Sequence, residues 1–169
     1  NAQAGVDTET HLIVEQHVSD HANDKQEVEP ALERLDALPD VLGSVAALLA
    51  DSGYHSAANL DRCEAAGIDP YIAEARQRHN APLAERFTDD PPAPEGRSTP
   101  AEANAHRLRT REGKARYAKR KSTVETVFGI IKHVLGFRQF LLRGLRAVQG
   151  EWALVCTGWN LKRLFALRG

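Results

Sequence analysis

The chain has no methionine, not even at position 1, and only two cysteines, Cys63 and Cys156. No CxxC pair is present, so neither a disulfide framework nor a cysteine zinc site is supported, and the thiol usage points to a reducing compartment. The seven histidines stand singly, without convincing metal-ligand spacing. No apolar run approaches the roughly 20 residues needed to cross a bilayer, and no signal segment opens the chain. A cytoplasmic protein with no membrane partner is expected. Asn1 leads directly into a strand-like run, so the chain is expected to be a piece of a longer protein with sequence upstream of it.

What is present is one core's worth of chain. At 169 residues and 42% apolar content, one compact domain with a loose insertion is the default. The net charge of −1 hides a division. Residues 1–100 carry 7 Lys and Arg against 19 Asp and Glu, a net of −12, whereas residues 101–169 carry 15 against 4, a net of +11. That asymmetry suits either a polyanionic partner for the second half, most plausibly nucleic acid, or mutual attraction of the two halves in the fold.

Periodicity orders the elements. Residues 1–6 and 11–18 are β-favouring runs around the polar turn Asp7, Thr8, Glu9, Thr10, predicting an antiparallel hairpin. Asn23 or Asp24 can cap a helix whose apolar positions are Val28, Leu32, Leu35 and Leu38. The run VLGSVAALLA (41–50) reads as a buried central strand delivering Asp51, with a helix as the competing reading because alanine and leucine favour it. Ser56 can cap a helix that stops at Gly67, and residues 68–73 give another strand, so a parallel pair with a crossover follows. Five of the eight prolines lie between Pro82 and Pro100, and residues 74–112 read as a Pro/Arg-rich flexible insertion rather than core. Helices are predicted over about 113–134 and 145–167, the second with a stripe of Val148, Trp152, Val155 and Trp159 broadened by Leu161, Leu164 and Phe165. The two tryptophans read as core residues rather than a base-stacking platform.

Three carboxylates stand out. Asp51 lies where a strand of an α/β sheet ends, the place where sites in such sheets gather; it can equally cap its own turn. Asp7 also ends a strand, in a position where Asp is a common turn residue. Glu125 is the lone acid among six Lys and Arg in residues 117–144. In a regular helix Lys121, Glu125, Gly129 and Lys132 share a face, with Val124, Val127, Phe128, Ile131 and Leu135 on the adjacent apolar face. Gly129 costs about 1 kcal/mol relative to alanine inside a helix. It would either admit a bulky ligand beside Glu125 or allow close helix packing, with Glu125 simply paired to Lys121.

The order DSGYHSAANLDRCEAAGIDPYIA, a Pro-rich insertion, then RYAKRKSTVETVFGIIKHVLGFRQFLLRGLRAVQGEWALVCTGWNLKRL closely resembles the DDE transposases of bacterial insertion sequences. The opening NAQAGVDTETHLIVEQHVSDHANDKQE is similar to the same group. The resemblance implies an α/β, ribonuclease H-like mixed sheet flanked by helices, its upstream part missing. Residues 1–73 would be the first part of the catalytic domain, 74–112 the insertion, and 113–169 the helical part carrying the glutamate. It implies that Asp7, Asp51 and Glu125 are the catalytic metal ligands for Mg²⁺ or Mn²⁺, and that Tyr117, Arg120 and Lys132 match residues accompanying the glutamate. Between Arg120 and Glu125 the chain has four residues where the commonest pattern has three. The family fold has three antiparallel strands before the first helix, and two are countable here.

The implied function is metal-dependent DNA cleavage and strand transfer by a homo-oligomeric transposase, of which this fragment alone would be inactive. Lys114, Arg116, Lys119, Arg120, Lys121 and Lys132 would neutralise backbone phosphates, with Tyr117 beside them. The rival readings are a related metal nuclease or resolvase, and an inactive remnant that only binds DNA.

Overall fold

A computed structural model describes residues 1–75, 89–94, 96 and 98–169. The chain forms two compact units, Asn1–Leu38 with Lys119–Gly169, and Pro39–Ala118.

In the first unit, β1 (Ala2–Val6) pairs antiparallel with β2 (Ile13–Val18), from Ala2 opposite Val18 to Val6 opposite Ile13, with an irregularity at Gly5 and Val6. This is the predicted hairpin. Along β2 the alternate residues Ile13, Glu15 and His17 are buried, the period-2 pattern of a strand with one covered face. Asn23 caps a short 3₁₀ turn, Asp24–Gln26, through its side chain, and α1 (Val28–Asp36) follows with Val28 and Leu32 inward.

The covering element is α6 (Leu145–Leu167), packed along β2. Its side chains complete the backbone hydrogen bonding of the hairpin, as buried main-chain groups require. Asn160 accepts from the Ile13 N–H and donates to the Ile13 carbonyl, both at 2.8 Å, and Gln149 accepts from the Val18 N–H at 2.7 Å. The Trp152 and Trp159 indoles donate to the carbonyls of Gln3 (2.9 Å) and His11 (2.8 Å). Both tryptophans are core residues, as predicted, clustered with Ile13, Val127, Ile131 and Cys156, and Phe128 stacks on Trp152 at 5.6 Å between centroids.

The stripe on α6 is narrower than its sequence suggests. Cys156 rather than Val155 is buried between the tryptophans, and Leu161, Leu164 and Phe165 are exposed. The hairpin ends at the Thr10 turn, where Arg163 donates to the Thr10 carbonyl, so nothing among the described residues covers the far side of the helix beyond that point. Leu135 is exposed for a related reason: α5 (Thr126–His133) has already ended.

In the second unit, β3 (Ala47–Ala50) pairs parallel with β4 (Asp69–Ile72) across α2 (Ala57–Ala65), which Ser56 caps by accepting from the Asn59 N–H. The strand is shorter than the 41–50 run. Residues Asp40–Leu42 form a 3₁₀ turn, Gly43 sits at φ 82°, and Val41 and Leu42 are exposed. A positive φ ends an extended run, and β4 offers only four residues to pair. The helical reading fails for 47–50.

Part of the stretch read as an insertion is structured. Residues Pro100–Arg109 form α3, opened by a capping box between Thr99 and Glu102, a reciprocal pairing that satisfies two N–H groups of the first turn. Its fully buried Asn104 accepts from the Ile72 N–H (3.0 Å) and donates to the Ile72 carbonyl (2.8 Å), extending the edge of β4. Proline density suggested a flexible segment, but Pro100 is at the first helical position, where proline is favourable. Of the proposed insertion, residues 76–88, 95 and 97 lie outside the described residues. Helix α4 (Arg111–Arg120) starts at a corner where a side chain on Gly113 would collide with the Arg107 carbonyl.

The fold is α/β with small sheets. Among the described residues the first unit holds an antiparallel pair of strands and the second a parallel pair.

Candidate active site

Asp7 follows β1 and organises the hairpin turn with one oxygen. Its Oδ1 accepts from the Thr10 N–H (2.7 Å), the Thr10 hydroxyl (2.5 Å) and the Glu9 N–H (3.2 Å). Oδ2 accepts nothing among the described residues. Burial alone would raise the carboxyl's pKa, but the Thr10 and Glu9 hydrogen bonds and the nearby His11 outweigh it and hold Asp7 below its ordinary value. The group is therefore an anion with half its lone pairs committed to a turn. The turn-residue reading of Asp7 is thus real.

Asp51 follows β3 and caps the 3₁₀ turn Ser52–Tyr54, its Oδ1 accepting from the Gly53 N–H at 2.8 Å. The turn-capping role foreseen for it is thus real. Four residues on, the buried Nε2 of His55 has no hydrogen-bond partner among the described residues, an orphaned nitrogen beside an acidic strand end.

Glu125 stands at the end of a π-helical turn, Lys121–Glu125, between α4 and α5. A π-turn closes i→i+5 hydrogen bonds and leaves local backbone groups without their usual α-helical partners. Here the side chains following the turn's entry compensate. The Thr123 hydroxyl donates to the Lys119 carbonyl at 2.6 Å and the Ser122 hydroxyl to the same carbonyl at 3.0 Å. Such back-bonding by Ser and Thr competes with the regular helical ladder. The ion pair of Glu125 is with Arg120 (Nη2 to Oε1, 3.2 Å), not with Lys121. Glu125 remains about half exposed (54%). A Cβ on Gly129 would meet nothing within 4 Å, so that glycine serves no close packing and leaves the surface after Glu125 open.

The cationic residues divide by environment. Lys114, Lys119, Lys121 and Lys132 are exposed, and the Lys132 ammonium lies 5.7 Å from the Phe128 ring centroid. Arg116 is half-buried, paired with Glu112 at 3.2 Å and set 5.5 Å over the Tyr71 ring. Tyr117 and Arg120 are half-buried.

One polar cluster was not foreseen. His17 Nδ1 lies 2.6 Å from Glu15 Oε1 and its Nε2 2.7 Å from Glu27 Oε2, all three side chains almost fully buried. Glu27 also accepts from the Ser19 hydroxyl (2.5 Å) and pairs with His21 Nδ1 (3.0 Å). Desolvation would lower the His17 pKa, but the two carboxylates overcome it and raise it. Desolvation likewise opposes ionisation of Glu27, yet hydrogen bonds from Ser19, His17 and His21 lower its pKa. The Glu15/His17 alternation on one strand face was a readable signal; the distance to Glu27 was not.

Among the described residues no three His, Cys, Asp or Glu side chains gather so as to hold a metal ion. Asp7 and Glu125 belong to the first unit and Asp51 to the second. As donors, the three carboxylates suit hard divalent cations, which prefer oxygen ligands.

The sequence profile described as transposase DDE domain matches residues 1–161, and the chain belongs to that family. Neither the curated proteins nor the solved structures give a match. No helix among the described residues is long and apolar enough to cross a membrane.

Proposed function

We propose that the chain is the catalytic part of a transposase that cuts and joins DNA with Asp7, Asp51 and Glu125 as its acidic residues. The observation that carries this reading is local to the first unit: β1, which leads into Asp7, packs against the turn Lys121–Glu125. Two acids far apart in sequence are thereby brought onto neighbouring elements, and the family match spans both. Asp51 joins them in this reading through the ribonuclease H-like arrangement that the resemblance implies. The parallel β3–β4 pair is the kind of element whose carboxyl end carries sites in such folds.

Asp7, Asp51 and Glu125 would hold Mg²⁺ or Mn²⁺, which when bound supplies Lewis-acid polarisation of the phosphate and acidification of water. The residues do the remaining work. Hydrogen bonds to Asp7 keep it ionised, and Arg120 fixes one oxygen of Glu125. The open surface at Gly129 leaves room for a nucleic acid backbone, and the exposed Lys114, Lys119, Lys121 and Lys132 neutralise phosphates. Insertion-sequence ends and target DNA are the substrates, and a homo-oligomer is the working form.

The test is a cleavage and strand-transfer assay on the full-length protein. Glu125→Gln should lower Mg²⁺-dependent cleavage about 10³-fold or more while DNA affinity stays within a factor of about two. Cleavage without joining would make the protein a nuclease or resolvase. Wild-type binding with no cutting would make it an inactive remnant. Loss of binding with retained cutting in Glu125→Gln would remove Glu125 from the chemistry.

A further inference from the structure

The spacing of Arg120 and Glu125 conflicts with their contact. In an uninterrupted α-helix, five residues advance the chain by about 500°, leaving the two side chains about 140° apart around the axis. They nevertheless form an ion pair at 3.2 Å. The π-turn at Lys121–Glu125 resolves the conflict. A π-turn inside an α-helix is a one-residue expansion, and it brings residues five apart onto the same side, as four apart are in an α-helix.

The sequence contains the devices that stabilise this expansion. Ser122 and Thr123 both donate to the Lys119 carbonyl at the entry to the turn, and Thr123 is buried. The exposed Ser122 is the residue whose removal disturbs packing least. Arg120 is the more enclosed partner, with a side chain 17% exposed against 54% for Glu125, so the guanidinium is the fixed member of the pair and the carboxylate the one it orients. Only Oε1 is engaged, and Oε2 of Glu125 has no partner among the described residues.

We propose that Arg120 is the positioning residue of Glu125 and that the π-turn exists to align the two across a one-residue expansion of the helix. Arg120 holds Oε1 and fixes the direction in which Oε2 is presented. The role given to the presented oxygen rests on the function proposed above; the alignment does not.

Two measurements separate these parts. The first reads alignment without catalysis. Arg120→His combined with Glu125→His places two imidazoles at the same positions, and adjacent imidazoles on a helix chelate Ni²⁺. The double variant should bind Ni²⁺ at least about tenfold more tightly than either single variant, and deleting Ser122 from it should preserve that gain because an α-turn then carries the pair at i,i+4. No gain in the double variant, or its loss on deletion of Ser122 with the circular dichroism spectrum unchanged, overturns the alignment. The second reads function in the full-length protein. Arg120→Ala should lower kcat about 10²-fold with little change in KM, as misplacement of a reacting group does, and Arg120→Lys should recover part of it. Deleting Ser122 should leave kcat within about fivefold of wild type. If Glu125→Gln abolishes cleavage but Arg120→Ala does not slow it, the positioning role fails and the proposed function stands. If Glu125→Gln still cleaves while the Ni²⁺ result holds, the proposed function fails and the alignment stands.

Discussion

Two ion-pair clusters in the same unit are built to opposite specifications. In the Glu15–His17–Glu27 cluster the side chains are almost fully buried, and both ring nitrogens of His17 and both oxygens of Glu27 are engaged. In the Arg120–Glu125 pair the carboxylate is half exposed and one oxygen is uncommitted. A buried charge is tolerable only when paired and hydrogen-bonded, and a group so saturated has no valence left for a ligand. The open pair costs less to maintain and offers a donor. In the proposed function chemistry belongs with Glu125, and His17 maintains the fold, although the sequence singles out only the former.

The comparison is broken most directly by removing one member of the closed cluster. Glu27→Ala should destabilise the protein by about 3–5 kcal/mol, because it leaves the buried His17 ring and the Ser19 hydroxyl without their partner. Arg120→Ala, which leaves behind only a half-exposed carboxylate that water can solvate, should cost less than Glu27→Ala. Chemical denaturation of the two variants checks both. Equal losses would contradict the division.

Acidity sharpens the same contrast. His17 has its pKa raised above the ordinary 6.5 in the folded state, so its contribution is complete below that value and is lost as pH rises through the folded pKa. Glu27 has its pKa lowered from 4.5, so its contribution is complete above 4.5 and is lost as pH falls through its folded pKa. The groups facing this cluster include His21, Ser19 and Arg34, with Cys156 of α6 near Glu15. Thermal unfolding should show greatest stability between pH 4.5 and 6.5, and His17→Gln should flatten the alkaline slope. An unchanged slope would place the titration elsewhere.

The smallest effect belongs to the exposed lysines. Lys132→Ala should weaken DNA binding and reduce the slope of log affinity against log salt by about 1, the share of one phosphate contact. An unchanged slope would take Lys132 out of the interface.

Much of the local structure was legible because it follows from short-range rules. The hairpin around Asp7, the Ser56 cap, the parallel crossover pair and the tryptophan core are all where alternation, capping chemistry and periodicity put them. Three features were not legible, each for a physical reason. The helix at Pro100–Arg109 was hidden by proline content that becomes favourable at a first helical turn. The exposure of Leu161, Leu164 and Phe165 depends on where the hairpin ends, a tertiary fact. The π-turn appeared in the sequence only as one residue too many between Arg120 and Glu125. An α-helical count cannot show that the extra residue is absorbed within a single turn.

In the proposed function Asp7, Asp51 and Glu125 share a divalent cation. Anomalous scattering from crystals of the full-length protein soaked in Mn²⁺ tests it most directly. The account predicts a manganese peak bonded to carboxylate oxygens of all three residues, and its loss in Glu125→Gln crystals. Manganese bound without Glu125, or Asp51 and Glu125 turned toward different regions with no shared ion, would contradict it.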